Sequence, residues 1–337
     1  PAGACRRFAA REGVRMAASK SFRSAAAPGL RASRRTLWTA VKLHKFYYLL
    51  ILPGMLYFVV FDYIPMFGVM IAFKDISPFA GVDAIFREEW VGLKHFERFW
   101  NSYYFWNVMT NTLAISGYKL LFGFPASIVL ALLINELRNL VFKRVVQTIS
   151  YLPHFISNVV VAGLAMMVLS TDGGLINSLI VRFGGEPIHF LGSPEHFRSI
   201  LVISHVWQTV GWGSILYLAA MSGIDPGLYE AAKIDGAGRF RQAWHITLPG
   251  ISPVIAIMLV LSIGGLLNAG FEQVLLLYSP AVYEVADIID TYVYREGLTS
   301  LNYSFATAVG LFKNVLAMLL ILGANYAAKR MNQTGIW

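Results

Sequence analysis

Six stretches of the chain, 46–73, 106–134, 145–169, 197–221, 249–278 and 303–328, are long and apolar enough to cross a bilayer. About 20 such residues cover roughly 30 Å of hydrocarbon when helical. In lipid every backbone N–H and C=O must be satisfied within the protein, so a run of this length and uniform hydropathy folds as a helix. The expected fold class is therefore all-α, with six transmembrane helices. Several runs exceed the minimum, which predicts tilt or interfacial ends rather than extra spans. Composition agrees: 14% of the residues are charged and 56% hydrophobic, with a mean hydropathy of +0.57, against about a quarter charged in soluble domains.

Orientation follows from the cations. The first 45 residues hold 11 Lys and Arg against the single acid Glu12. Arg138, Lys143 and Arg144, then Lys233, Arg239 and Arg241, then Lys329 and Arg330 recur at every second loop. The excess of basic residues on one side places both termini in the cytoplasm. Residues 1–45 read as a basic arm without fixed structure and 329–337 as a short tail. The apolar run after the arm is longer than the roughly 7–15 residues of a secretory core and lacks a small-residue cleavage site nearby, so it reads as an uncleaved first span. The one dense basic run is confined to the terminal arm, which does not make a nucleic-acid surface. Cys5 is the only cysteine, which excludes an intrachain disulfide and a thiolate metal cluster.

The outer loops are acidic and aromatic. Residues 76–105 include Glu88, Glu89, Trp90 and Trp100, and residues 277–302 include Glu284, Asp287, Asp290 and Glu296. An interfacial aromatic belt with solvated charge explains part of this, and loops of this length also offer a docking surface.

Between the fourth and fifth spans lies a polar island, "EAAKIDGAGRFRQAWHITLP", residues 230–249. Asp225-Pro226 is a helix start, with Asp capping free amides and Pro placed where no donor is missed. Leu228, Ala231, Ala232 and Asp235 then share one face, small enough for another surface to approach closely. Gly236 and Gly238 stop or turn the helix. Residues 239–247 can form a second short helix before Leu248-Pro249 opens the next span. Spacing alone favours an ordinary interfacial helix here.

The island resembles the signature of inner-membrane permease subunits of binding-protein-dependent ABC importers. Glu230, Ala231, Ala232, Gly236, Ile246, Leu248 and Pro249 occupy its fixed positions without departure, and Asp235 and Ala237 extend it. Stretches such as "YIPMFGVMIAFKD", "YLPHFIS" and "GFEQVLLLYSP" resemble the carbohydrate-importing branch, alginate-import permeases among them. The resemblance implies a type I permease core with a cytoplasmic coupling helix over 225–248, resident in a bacterial inner membrane. It implies a second homologous permease, a pair of ATPase subunits that hold ATP and Mg, and a periplasmic or extracellular substrate-binding protein. Glu230 would be the polar anchor, Ala231 and Ala232 the packing face and Gly236 the bend. The residues agree independently on one point: no G-x-x-x-x-G-K-[ST] run occurs, so the chain has no phosphate-cradling loop.

Polar residues inside the spans complete the candidates. Lys119 and Lys313 fall near the midplane, where an ionisable group tends to face a cavity or a partner. Asn158, Trp207, Gln208, Asn268 and Glu272 join them as a candidate path, tryptophan stacking on sugar rings and amides meeting hydroxyls. Two lysines suit an acidic sugar such as a uronate oligomer. The bland alternative, a Lys313–Glu272 pair with interhelical hydrogen bonds, carries equal weight. His154 and His205 lack metal-ligand spacing and read as packing residues. Glycines such as Gly163 and Gly211 are routine in spans, while Gly264-Gly265 offers a hinge. No nucleophile, carboxylate pair or metal constellation points to an enzyme, and an ion-gradient transporter is the remaining alternative.

Overall fold

The computed structural model describes residues 42–81 and 83–330. The arm and tail expected over 1–45 and 329–337 lie outside them, apart from 42–45 and 329–330. The described residues form helices without a strand, and one isolated antiparallel bridge joins Lys74 to Trp90. They divide into two compact units, one ending at Met66 and one beginning at Phe67.

The first unit is helix α1 (Lys45–Phe58), continued through a widened turn at Val59–Tyr63 and a last turn at Ile64–Met66. Its side chains are exposed and, Lys45 and Asp62 aside, apolar or aromatic all round, a pattern stable in lipid and not in water.

The second unit comprises α2 (Lys94–Trp100), α3 (Phe105–Asn135), α4 (Leu140–Tyr151), α5 (Asn158–Leu169), α6 (Leu175–Arg182), α7 (Pro194–Met221), α8 (Pro226–Ile234), α9 (Leu248–Gly264), α10 (Phe271–Leu277), α11 (Ile289–Tyr294) and α12 (Tyr303–Arg330). Its axis is the α3–α7 pair. These helices run parallel, since Asn111 meets Arg198 near their starts and Ser127 meets Gly213 further along. Three apolar clusters are strung along α3. Phe105 and Val108 pack with Tyr292 and Phe305, Ile115 with Leu201 and Val274, and Ala131 with Tyr217 and Ile251. Small residues let the backbones approach: a Cβ on Gly211 would lie 1.9 Å from the Ser150 carbonyl oxygen.

The expected spans need correction at three places. Four helical runs have membrane length and hydropathy, Lys45–Phe73, Phe105–Asn135, Arg239–Asn268 and Tyr303–Arg330. The run expected over 145–169 is broken instead: Leu140–Phe155 and Asn158–Leu169 meet at 100°. Pro153 has no N–H to continue the helix, and Ser157 starts a new one by accepting from Val160 N–H at 3.4 Å. The run over 249–278 breaks too, at left-handed Ala269 (φ 46°) and Gly270 (φ 79°). The fourth, α7, is a continuous helix of 28 residues, but Arg198, His205 and Gln208 leave it short of the others in hydropathy. The separate helix expected over 239–247 is in fact the start of the fifth run. A widened turn at Ala243–Thr247 joins Arg239–Gln242 to α9, which accommodates the missing N–H of Pro249.

Residues 279–300, which read as solvated acidic loop, are packed. Arg295 forks onto Asp287 at 3.1 and 2.6 Å, and this hydrogen-bonded partner raises the guanidinium pKa further. Thr291 donates to the same carboxylate at 2.7 Å, and Asn111 donates to the Glu284 and Asp287 carbonyls at 3.0 Å each. Arg198 in turn donates to the Asn111 side-chain oxygen at 2.6 Å and to the Val285 carbonyl at 3.1 Å, so the segment is fastened to both axial helices.

Candidate functional site

The 225–248 loop folds as its residues dictate. The Asp225 carboxylate accepts from the Gly227 N–H at 2.9 Å and caps α8. At the other end Gly236 N–H donates to the Lys233 carbonyl at 3.1 Å and Ala237 N–H to the Ala232 carbonyl at 2.8 Å. With Gly236 at φ 74°, this pair of bonds is a Schellman ending, which needs a residue free of Cβ strain at that position. The loop is then tied to the run that follows. Gln242 donates to the Ala237 carbonyl at 2.7 Å, and the Tyr229 hydroxyl pairs with buried Thr247 at 2.9 Å. Glu230, Ala231 and Asp235 are exposed and Ala232, Ala237, Ile246 and Leu248 half-buried, with Pro249 exposed. Around them Ile234, Phe240 and Trp244 stand 88%, 83% and 60% exposed. Phe240 and Trp244 stack with their ring centroids 6.4 Å apart, an exposed apolar pair of the kind that meets a partner protein or a membrane surface.

At the other candidate region the broken fifth run forms a wall between two cavities. One, of about 460 Å³, is lined by Ser116, Lys119, His154, His205, Trp212 and Asn268 and extends along α3 and α7 toward the 225–248 loop. The other, of about 860 Å³, is lined by Asn158, Asn268, Glu272, Asp290, Tyr294 and Asn314. Asn268 and Gly270 border both. Freed main-chain groups in the wall are satisfied from neighbouring helices, as a membrane requires. Lys119 donates to the Ala269 carbonyl at 2.9 Å and to the Gln273 side-chain oxygen at 2.6 Å. Gln273 donates onward to Ser204 at 2.7 Å and to the Leu201 carbonyl at 3.2 Å.

The seven polar path candidates therefore separate. Asn158, Asn268 and Glu272 converge on the larger cavity, where Asn158 donates to the Glu272 carboxylate at 2.7 Å. Lys119 lies on the smaller one. Lys313 is paired with Asp290, at 2.6 and 2.8 Å, which replaces the Lys313–Glu272 pairing considered from sequence. Trp207 opens onto a third cleft, with Tyr118, Phe122 and Arg198, away from both. Gln208 caps the other broken run by donating to the Ile156 carbonyl at 3.0 Å. Beside it His154 stacks on Trp212, the ring centroids 4.6 Å apart and the planes at 5°. Two contributors escape the sequence reading. Gln273 obeys the rule that flagged Lys119, a polar group inside an apolar run, whereas Asp290 lies outside the runs and gives no such signal.

Two stability outcomes follow from this geometry. Gln208→Leu strands the Ile156 carbonyl and is expected to cost about 1–3 kcal/mol, read as a lower unfolding temperature of the purified protein in detergent. Lys313→Met leaves Asp290 unpaired and is expected to cost about 3 kcal/mol, with Asp290→Asn added in the same chain restoring most of it. Additive losses in that cycle would show that the pair is not coupled.

The comparisons agree with this architecture. A family profile described as "Binding-protein-dependent transport system inner membrane component" matches residues 123–333. Protein LplB of Bacillus subtilis (strain 168) is 48% identical over 312 residues, covering 92% of this chain and 97% of that protein. The polygalacturonan/rhamnogalacturonan transport system permease protein YteP of the same strain is 49% identical over 304 residues, 90% of this chain and 94% of that one. Among solved structures, a bacterial ABC transporter involved in the import of the acidic polysaccharide alginate superposes with a TM-score of 0.81 at 43% identity, over 88% of this chain and 99% of that chain. A bacterial alginate ABC transporter in complex with an alginate pentasaccharide-bound periplasmic protein gives 0.80 at 43% identity, over 89% of this chain and 99% of that chain. Its membrane-length apolar helices, its unbroken 230–249 signature and these matches place the chain in the family of inner-membrane components of binding-protein-dependent transport systems.

Proposed function

We propose that this chain forms one half of the translocation pore of an ATP-driven oligosaccharide importer and takes its energy from a separate ATPase through residues 230–249. The carrying observation is the loop itself: a capped helix with a Schellman ending at Gly236, flanked by exposed Ile234, Phe240 and Trp244. Glu230, Ala231 and Ala232 then face the ATPase, and Gly236 sets the angle at which α8 is presented. The path runs through the two cavities, with Asn158, Asn268 and Glu272 on one side of the wall and Lys119 on the other. Both termini lie in the cytoplasm of a bacterial cell with six crossings of the inner membrane, a reading supported by the basic residues. A second, homologous permease completes the pore, and a substrate-binding protein delivers the cargo to the opposite face.

An acidic cargo is supported by the uronate polysaccharides named for the permease YteP and the alginate transporter. Lys313 adds nothing to that support, since Asp290 neutralises it. The test is reconstitution in proteoliposomes with the partner permease, ATPase and binding protein, measuring ATP hydrolysis and uptake together. Uptake driven by an ion gradient in the absence of the ATPase would sink the proposal.

A further inference from the structure

Lys119 is a cation in the middle of α3 and is 7% exposed. Among the described residues no carboxylate lies within the 4.0 Å of an ion pair, in contrast to Lys313 with Asp290 at 2.6 Å. Its two acceptors, the Ala269 carbonyl and the Gln273 amide oxygen, are neutral, and an ammonium has a third N–H to give. One turn earlier on the same helix face, Ser116 is 5% exposed and its Oγ has no hydrogen-bond partner. Other hydroxyls on this cavity are spent on their own helices: Ser127 donates to the Gly123 carbonyl at 3.1 Å and Thr209 to the His205 carbonyl at 2.8 Å. A buried charge without a counter-charge and a buried hydroxyl without a partner, on two residues that line the cavity of about 460 Å³, both cost free energy until something pairs with them.

We infer that Lys119 and Ser116 bind the carboxylate of one uronate residue of the passing oligosaccharide, one oxygen accepting from Nζ and the other from the Ser116 hydroxyl. This rests on the oligosaccharide reading above and locates its selectivity for acids. Residues at i and i+3 on a helix are neighbours about 5–6 Å apart at Cβ, and one carboxylate spans the two donors. The coplanar His154–Trp212 stack borders the same cavity and offers a flat surface to a pyranose ring. A neutral sugar in the same place leaves the ammonium uncompensated, and a site built around a charge rejects the analogue that lacks it. His205 is the other titratable group on this cavity besides His154 and the phenol of Tyr217, so no carboxylate among the described residues lines it.

The experiment uses the full importer in proteoliposomes with a uronate tetramer and its carboxyl-reduced, neutral counterpart, and reads the ratio of their uptake rates. One binding protein serves every variant, so a change of ratio belongs to the permease. Lys119→Met is expected to lower the acid-to-neutral ratio at least about tenfold, Ser116→Ala about threefold, and Lys119→Arg little. Loss of both uptakes by one common factor in Lys119→Met overturns the site and leaves Lys119 as a cap for the Ala269 carbonyl only. Should that variant fail to assemble, Ser116→Ala decides, since it leaves the cap in place, and an unchanged ratio overturns the site. Wild-type importer that takes up neither tetramer sinks the oligosaccharide reading and the site with it, whereas equal uptake of both sinks the site alone.

Discussion

Gly236→Pro is expected to leave the chain inserted in the membrane and to reduce uptake at least about tenfold, while ATP hydrolysis no longer tracks transport. Proline fixes φ near −65°, and the native value is 74°, so the Schellman ending cannot form. The substitution also removes the N–H that donates to the Lys233 carbonyl at 3.1 Å. Both losses fall on exposed residues, with open space around the Gly236 Cα, so the membrane-embedded core is not disturbed. What changes is the direction in which α8 leaves its last turn, and with it the surface formed by Glu230, Ala231 and Ile234. Glu230→Lys is a milder companion that keeps the backbone and reverses one charge on that surface. The measurement is binding-protein-stimulated ATP hydrolysis alongside uptake in the reconstituted importer. Wild-type uptake in both variants would remove the loop from energy coupling.

Gly211→Ala is expected to be the most damaging single methyl in the membrane-embedded part. The added carbon would lie 1.9 Å from the Ser150 carbonyl oxygen and 2.4 Å from its carbon. These are main-chain atoms of α4, so no rotamer change relieves the clash and the helices must part. Overpacking of this kind costs about 3 kcal/mol or more, and separation would also stretch the nearby Gln208–Ile156 bond and the His154–Trp212 stack. Gly163→Ala supplies the control, because nothing lies within 4 Å of a Cβ there and helix propensity favours alanine. Unfolding temperatures in detergent should fall sharply for the first and hold or rise for the second. Equal behaviour would show that α4 and α7 do not depend on this close approach.

Those two glycines also show where sequence reading stops. Both are glycines in apolar runs, and nothing local separates the one that admits another backbone from the one that faces open space. The same limit explains the broken runs. Hydropathy registers how apolar 145–169 and 249–278 are, and it is blind to a main chain that turns inside the membrane. Pro153 and Gly270 were visible as residues, but their consequence depended on Gln208 and Lys119 being placed by α7 and α3 to satisfy the freed carbonyls. Intramembrane polarity was legible as a need for partners, while the partners were decided by tertiary packing: Lys313 found Asp290 from a segment that reads as loop. The 225–249 loop was legible almost completely, because caps, a left-handed glycine and a short helix are local chemistry. Only its continuity into α9 was misjudged, as Pro249 sits within a helical run rather than at its start.

A partition made of one short turn has a consequence for how such proteins diversify. Between Gly265 and Gly270 the wall between the two cavities is a short helical turn closed by left-handed Ala269 and Gly270, and Asn268 is its one side chain that borders both cavities. Recognition can then be rewritten in the flanking walls, one residue at a time, while the turn and the lysine that fastens it stay the same. Lineages that trade one polysaccharide for another need alter the upholstery and not the door.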